Sequence, residues 1–499
     1  MRPMTATSQL GRIDDGDQAA ITALRQAFAA QRRAHQAYPY PDLRERTGHL
    51  QALAAMLVRN RKRIQEAMSE DFRVHSRTWT DIGELVAVIV RAQAAAGSLA
   101  EWMADEPREV DPFIYGDARA FVRPQPKGVI GSMAPWNTPF EIGVGVLIDM
   151  LAAGNRVILK PSDHTPACGI VIADMLAETF DADHVTAAVG GLELARFFPT
   201  LPWDHLMYTG STAVGRQVMK ATAENLVPVT LELGGKCPAI LTATGVTERN
   251  VEQIIDVKRV RNGQNCISVD HVFVPRAQLA RFVDLARGIM ARRAPAFSAG
   301  DDTTGLVTQA HYDRIVRLLA DARDAGSEVV DIDVDGVVDP GERRVPISLV
   351  IDPDPELGIM QEEIFGPILP VRPYDHLDGV LDQINDGDRP LAVYVFGDDA
   401  NENEELLNRV TSGGAAINAA LWQGGLPSLG FGGVGASGMG RYHGIDGFRE
   451  FSNLRGVFVR GGQDMTSELC PPHSAETKSM VEALLLAAAD AGTGTERPA

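Results

Sequence analysis

The sequence predicts an α/β protein built on two doubly wound parallel sheets, and three observations lead there. Short apolar runs of strand length alternate with helical stretches from Arg156 to Leu233, and regular alternation of strand and helix folds into a parallel sheet with helices on its faces. The alternation restarts after Gly234 and Gly235 with P-A-I-L, H-V-F-V, L-A-V-Y-V-F and G-A-A-I-N. With 499 residues, the chain is too long for one ordinary core and fits two domains with small appendages.

In chain order, Ile21 to Trp102 reads as helices, because Leu50, Leu53, Met56 and Leu57 recur three and four residues apart. Glu109 to Arg123, with Pro112, Gly116 and short apolar pieces, reads as an extended hairpin. Strands follow at R-V-I-L-K (156–160), V-T-A-A-V (185–189), H-L-M-Y-T (205–209) and V-P-V-T-L-E-L (227–233), with helices opening at Thr165-Pro166 and at Thr212. A domain boundary is placed near Gly234, and a long helical run ends at Val260. The last ~30 residues, rich in Pro, Ser, Thr and Gly, read as a loose tail.

Composition excludes several classes of function. Hydrophobic residues at 45% and charged residues at 23% describe an ordinary globular chain rather than a disordered one. A formal charge of −19 argues against nucleic acid or an anionic membrane as partner, since both demand a basic surface. The amino-terminal M-R-P-M-T-A-T-S-Q-L-G-R-I-D-D carries acids where a signal peptide needs an apolar core, and no run reaches the roughly 18 uninterrupted apolar residues of a membrane helix. Cys168, Cys237, Cys266 and Cys470 form no C-x-x-C pair, so neither a disulfide framework nor a metal site is expected. A cytoplasmic protein follows.

Several short stretches carry chemistry, each with a bland alternative. Y-T-G-S-T-A-V-G runs a strand through Gly210 and Ser211 into a helix, which offers backbone N–H groups to a phosphate or is simply an N-cap. L-K-P-S-D puts Lys160 and Asp163 at another strand end, suited to ribose hydroxyls or to solvent and helix capping. In P-W-N-T-P two prolines fix the backbone around Trp136 and Asn137, whose amide either donates to an oxyanion or satisfies its own turn. Glu232 points away from Val229, Leu231 and Leu233, as a solvated strand end or as a general base. Cys266 in R-N-G-Q-N-C-I-S-V-D is a buried small apolar residue or a nucleophile. G-V-G-A-S-G, Gly433 to Gly438, matches a dinucleotide fingerprint but lacks the flanking strand and helix, so it reads as a packing loop.

Taken together, P-W-N-T-P, L-K-P-S-D, G-S-T-A-V-G, L-E-L-G-G-K, G-Q-N-C and E-E-I-F-G-P occur in an order that resembles the aldehyde dehydrogenase superfamily over nearly the whole chain. The separations of 34 residues from Glu232 to Cys266 and 97 from Cys266 to Glu363 resemble the family's as well. R-P-L-A-V-Y-V-F-G-D and the stretch from Phe431 to Ser452 look like the class 3 branch, and 31–46 and I-S-V-D-H-V-F-V-P are most similar to its bacterial coniferyl-aldehyde type. The sequence departs from that pattern at Asp163, where Glu is usual, and at Leu426 to Gly430, which adds residues. Ala213 stands at an often acidic site, and K-R-V-R (258–261) is unusually basic; the resemblance gives neither a role.

The resemblance implies two Rossmann-like domains, the cofactor-binding one from 1–108 and 127–234 and the catalytic one from 235–450. An oligomerisation arm (109–126 and 451–460) and a tail (461–499) complete it. It implies an NAD(P)-dependent oxidation of an aldehyde, aromatic and coniferyl-like or medium-to-long and apolar, to the carboxylic acid. Cys266 would be the nucleophile, Glu232 the base, and Asn137 with the Cys266 N–H the oxyanion donors. Lys160, Asp163, Gly210, Ser211, Glu363, Trp136 and Phe365 would hold the cofactor, with NAD favoured over NADP. A homodimer is expected, a tetramer being the alternative. Two other readings stay open: a coenzyme A-acylating relative, against which Glu232 argues, and a silent binding protein on the same fold.

Overall fold

In a computed structural model of the protein, residues 15–492 are described. They divide into two compact units: one comprises residues up to Trp102 together with Pro126–Ser452, the other Met103–Gln125 together with the chain from Asn453 onward.

The first unit holds both large sheets. The six-stranded sheet has the order Gly438–Met439, Val229–Leu233, His205–Gly210, Val129–Met133, Arg156–Lys160, Val185–Ala187, all parallel except its short first strand. Val129–Met133 lies at the point where the strand order reverses. Such a switch opens a crevice at the carboxyl ends of the strands. Four of the chemistry-bearing stretches leave the sheet there: Trp136-Asn137, Lys160, Gly210-Ser211 and Glu232. Gly131 of the central strand has to be glycine, because a Cβ there would come 2.7 Å from the Trp203 ring that stacks on Phe198.

The seven-stranded sheet has the order Glu328–Asp331, Ser348–Ile351, Ile368–Tyr374, His271–Pro275, Pro238–Leu241, Ala392–Phe396, Gly414–Ile417. Only its first strand is antiparallel. Its apolar core runs through Ile254, Phe282, Leu349, Tyr394 and Phe396, and Cys266 packs against the edge of that core.

The amino-terminal helices are Asp15–Ala37, Leu43–Phe72 and a third run from Arg77 to Trp102. Asp42 caps the second by accepting the Glu45 N–H at 2.8 Å. The third widens into a π-helical turn at Thr80–Val86. An 18-residue window of this 26-residue stretch reaches a mean hydropathy of 1.4, so the helix is long and apolar enough, by length and composition, to cross a membrane, although charged and polar residues interrupt its apolar run. It contains Arg91, buried in an ion pair with Glu141, and its Val88, Ala92, Ala95 and Leu99 are buried.

The second unit is a three-stranded sheet, Glu106–Arg108, Arg119–Pro126 and Ser452–Val459, with two helical pieces. The expected hairpin is there in part: Glu106–Arg108 pairs antiparallel with Arg119–Pro126, but the short helix Pro112–Tyr115 interrupts the connection. Pro112 falls at the start of that turn, where a missing N–H costs nothing, and Asp111 caps it. The loose tail is a correction, for Ala475–Gly492 is helical. Ala, Leu, Glu and Met dominate that stretch and favour helix, and Ser474 accepts the Thr477 N–H at 3.1 Å at its start.

Candidate active site

Cys266 sits on a loop whose shape is set by three successive residues with positive φ: Arg261 (52°), Asn262 (54°) and Gly263 (76°). The turn closes the end of helix Glu248–Arg259 and throws the chain back before the strand His271–Pro275. Gly263 has no alternative, since a Cβ would lie 2.2 Å from the Gly366 carbonyl. Gln264 braces the loop: its side-chain N–H donates to the carbonyls of Arg261 and Gly305, both at 3.0 Å, and its oxygen accepts the Val307 N–H. Asn265 Oδ1 accepts the Ile267 N–H at 3.1 Å, and the Cys266 carbonyl accepts the Cys237 thiol at 3.3 Å. The two side-chain amides that precede the cysteine are therefore a scaffold.

The half-buried Cys266 is not a core residue, for it lines two cavities. The first measures about 440 Å³, and all ten of the site residues expected from the sequence line it: Trp136, Asn137, Lys160, Asp163, Gly210, Ser211, Glu232, Cys266, Glu363 and Phe365. Asn137 is buried, and its amide is no self-satisfied turn: Nδ2 donates to the Gln264 carbonyl at 3.3 Å, two residues from the cysteine. An amide nitrogen carries two hydrogens, so this bond fixes the side chain and leaves one donor available.

Glu232 is 1% exposed, which rules out the solvated strand end. Its Oε1 has no hydrogen-bond partner among the described residues. Burial pushes its carboxyl up to about 8, with repulsion from Glu141 adding and contact with Cys266 opposing. Burial likewise pushes the Cys266 thiol up, and the neighbouring Glu232 and Glu363 carboxylates push it further. Both groups are thus shifted towards their protonated forms, and the contact between them makes the Glu232 carboxylate an acceptor for the thiol proton.

Glu363 is also pushed up to about 8, by burial and by Asp270. Its loop is fixed from below. Asp270 accepts the Ile364 N–H at 2.9 Å and pairs with Lys236 at 2.5 Å, while Arg314 donates to the Ile364 carbonyl at 2.7 Å. Gly234 brings the backbone against this carboxylate, where a Cβ would stand 2.0 Å from Oε2.

The rest of the cavity carries groups of the kinds that bind a dinucleotide. Gly210 and Ser211 lead into helix Thr212–Ala223, with Ser211 as N-cap, so the positive end of this helix lies at the cavity wall and suits an anion. Lys160 is 3% exposed, its ammonium donates to the Pro161 carbonyl at 3.0 Å, and it lies 3.8 Å from Asp163. Burial lowers its pKa, and Asp163 resists that shift. Trp136 and Phe365 meet edge to face at 5.2 Å. The rejected fingerprint Gly433–Gly438 is a packing loop, because a Cβ on Gly433 would meet the Ser437 carbonyl at 1.9 Å.

The second cavity, about 150 Å³, reaches Cys266 from the other side. Trp79, Ile82, Trp422, Phe431 and Tyr442 form apolar walls, and Thr138, Glu141, Arg261 and His443 add polar groups. None of these was assigned to the site from the sequence. Thr138, Arg261, Phe431, Tyr442 and His443 do stand inside quoted stretches, Arg261 in the basic run 258–261, whereas Trp79 and Ile82 belong to a helical run with no sequence signal of a site.

Comparison with known proteins agrees with this geometry. The model of the "Aldehyde dehydrogenase family" matches residues 1–457. A "Probable coniferyl aldehyde dehydrogenase" of Caulobacter vibrioides is 39% identical over 443 residues, 88% of this chain and 91% of that protein. A "Coniferyl aldehyde dehydrogenase" of a Pseudomonas species is 37% identical over 439 residues, covering 88% and 91%. Among solved structures, Staphylococcus aureus AldH in its substrate-bound state superposes with a TM-score of 0.87 at 30% identity, covering 93% of this chain and 99% of that one. The Mycobacterium tuberculosis aldehyde dehydrogenase complexed with NAD+ gives 0.78 at 25% identity, covering 88% and 90%. The chain belongs to the aldehyde dehydrogenase family and is an NAD(P)-dependent enzyme that oxidises a small-molecule aldehyde to its carboxylic acid.

Proposed function

We propose that the aldehyde is aromatic and coniferyl-like, and that Cys266, Asn137 and Glu232 carry out the reaction. The observation that carries the substrate reading is the second cavity. Its walls, Trp79, Trp422, Phe431 and Tyr442, present flat apolar surfaces beside Cys266, which suit a planar ring. The names of the relatives from Caulobacter and Pseudomonas point the same way.

In this reading Glu232, once ionised, takes the proton from Cys266, and the thiolate adds to the aldehyde carbon. The oxyanion accepts hydrogen bonds from the free Asn137 N–H and the Cys266 backbone N–H; each such donor is worth roughly 3–4 kcal/mol. The cofactor, when bound, supplies the hydride acceptor that converts the adduct to a thioester. Glu232 then releases that proton to solvent and takes another from water, whose hydroxide adds to the thioester carbon and expels the Cys266 thiolate, freeing the acid.

Lys160 and Asp163 would hold the adenosine ribose, Gly210 and Ser211 the pyrophosphate and Glu363 the nicotinamide ribose, with Trp136 and Phe365 packing around the cofactor. The sheet beginning at Val129 would then be the cofactor-binding region and the sheet beginning at Pro238 the catalytic one. Asp163 at the ribose favours NAD, because its charge repels a 2′-phosphate. A homodimer through the small sheet is supported by the edge strand Ser452–Val459, which exposes Leu454, Phe458 and Val459. A cytoplasmic location rests on the four free cysteines and the acidic composition.

Stopped-flow reduction of NAD and of NADP, with acetaldehyde, benzaldehyde, coniferyl aldehyde and decanal, tests the reading. A burst with NAD that is fastest with the aromatic aldehydes is expected; a preference for acetaldehyde or decanal would overturn the substrate assignment.

A further inference from the structure

The basic run Lys258 to Arg261 is given no role by any motif, and the structure separates its members. Lys258 donates to the Gly366 carbonyl at 3.3 Å, and Arg259 pairs with Asp256 one turn back. Arg261 alone turns into the site, where it is 3% exposed and lines the cavity beside Cys266.

Its backbone is left-handed (φ 52°, ψ 25°), a conformation that a long side chain adopts only where the surroundings hold it. The surroundings here are specific. One guanidinium nitrogen donates to the main-chain carbonyl of Asn137, and the other pairs with Glu84, which is fully buried. The second oxygen of Glu84 accepts the N–H groups of Phe140 at 3.0 Å and Glu141 at 2.7 Å. The loop that carries the Asn137 amide is thus gripped through its carbonyl and its amides by one ion pair. Across the site, that amide reaches the Gln264 carbonyl, three residues after Arg261 on the nucleophile loop.

We propose that Arg261, held by Glu84, is a positioning residue that sets the Asn137 amide against Cys266. A buried ion pair of this kind adds little to stability over an apolar pair. A left-handed arginine is harder still to account for by folding alone. Glu84 lies in the π-helical turn Thr80–Val86, and such turns recur at functional sites. Ile82 of the same turn lines the substrate-side cavity, so the oxyanion loop, the nucleophile loop and one substrate wall meet at this pair.

The inference rests on the reading of Cys266 as nucleophile and Asn137 as oxyanion donor. Both tetrahedral states at Cys266, one from the aldehyde and one from water on the thioester, place an oxyanion at the same amide. A misplaced amide slows both steps. Lys160 and Ser211, the proposed contacts for the far end of the cofactor, are untouched.

The experiment compares Arg261→Met, Arg261→Lys, Asn137→Ala and the double variant Asn137→Ala/Arg261→Met in the full-length enzyme. Two rates are read: aldehyde oxidation, and cofactor-free hydrolysis of p-nitrophenyl acetate, which exercises the nucleophile and oxyanion donors alone. Arg261→Met lowers kcat in both by about 30- to 300-fold, up to the loss from removing a donor outright. The KM for NAD stays within about twofold, and Arg261→Lys recovers part of the rate. In the Asn137→Ala background the Arg261 substitution costs less than about threefold, because the residue it positions is gone. Penalties that multiply instead would overturn the proposal. So would a shift in the pH dependence of Cys266 alkylation by iodoacetamide in Arg261→Met, which would mean that the arginine acts on the thiol. Unchanged rates in Asn137→Ala would sink the oxyanion reading itself. Should Arg261→Met fail to fold with Glu84 left unpaired, Arg261→Met/Glu84→Gln removes the whole pair and is read in the same way.

Discussion

The two cavities that meet at Cys266 differ in how they are built. The larger is formed where strands of the six-stranded sheet end, and its groups follow those strands directly: Asn137, Lys160, Ser211 and Glu232 each sit at or within four residues of a strand's carboxyl end. The smaller is assembled from pieces far apart in sequence, a π-helical turn near residue 82, the loop that carries Cys266 and the loop from Leu421 to His443. The first is a property of the sheet, the second of loop packing. A fold can therefore be shared across a family while the substrate side changes.

The contrast makes the reacting groups the most sensitive positions. Cys266→Ala should lower aldehyde oxidation by at least about 10⁴-fold while NAD binding, followed by tryptophan fluorescence, persists. Turnover within a factor of ten of the parent would remove Cys266 from the mechanism.

Glu232 comes next. With its carboxyl pushed up to about 8 by burial, the fraction able to accept a proton grows as pH rises from 6 to 9. Thioester hydrolysis should follow that rise, and Glu232→Gln should slow it by about 10²- to 10³-fold and flatten the pH dependence. Rapid-quench detection of a lingering acyl-enzyme checks this. The same buried acid affects stability. Its folded value lies far above that of the unfolded chain, so the protonated form stabilises the fold at low pH, and the benefit is lost as pH rises towards about 8. Glu232→Gln never ionises, and its melting temperature relative to the parent should climb between pH 5 and pH 9, by the equivalent of about 1–3 kcal/mol. A gap that does not change with pH would mean that Glu232 is not the buried carboxyl described here.

The difference between the cavities also explains what could be read in advance. Four strands of the six-stranded sheet were legible as short apolar runs closed within a few residues by Gly or Pro, the punctuation that also marks the site, whereas the central Val129–Met133, interrupted by Gly131 and Ser132, and the two-residue Gly438–Met439 were not. The seven-stranded sheet gave four of its strands, but not Glu328–Asp331, Ser348–Ile351 or Ile368–Tyr374, and not its site geometry. Cys266 and Glu363 lie before strands His271–Pro275 and Ile368–Tyr374, at their amino ends, where no rule of parallel sheets places ligands. Their roles came from spacing and resemblance. Trp79, Ile82 and Glu84 stayed hidden because the helical pattern continues through the π-turn without a break in its apolar period. Arg261 was visible as part of a basic run, yet its inward direction depends on two positive φ angles in succession at residues that do not advertise them. Ala475–Gly492 was misread because flanking Pro and Gly outweighed an Ala- and Leu-rich centre.

Smaller effects follow at the far end of the larger cavity. Asp163→Ala removes a charge 3.8 Å from Lys160 and should narrow the preference for NAD over NADP by about tenfold, with kcat for NAD barely changed. An unchanged ratio would place the 2′-hydroxyl elsewhere.

The smallest effect tests whether the substrate side is as adaptable as its construction implies. Trp422 is 58% exposed, contributing a wall to the smaller cavity rather than a floor. Trp422→Ala leaves the Asn137 loop and the residues proposed to hold the cofactor in place, so kcat for a short aldehyde should be unaffected. What it removes is one aromatic face for a planar ring, worth about 1 kcal/mol at a half-exposed position, so kcat/KM for coniferyl aldehyde should fall about fivefold against decanal. A loss as large for acetaldehyde as for coniferyl aldehyde would show that the loop around Trp422 holds up the reacting groups themselves, and the distinction between a sheet-built and a loop-built cavity would fail at this residue.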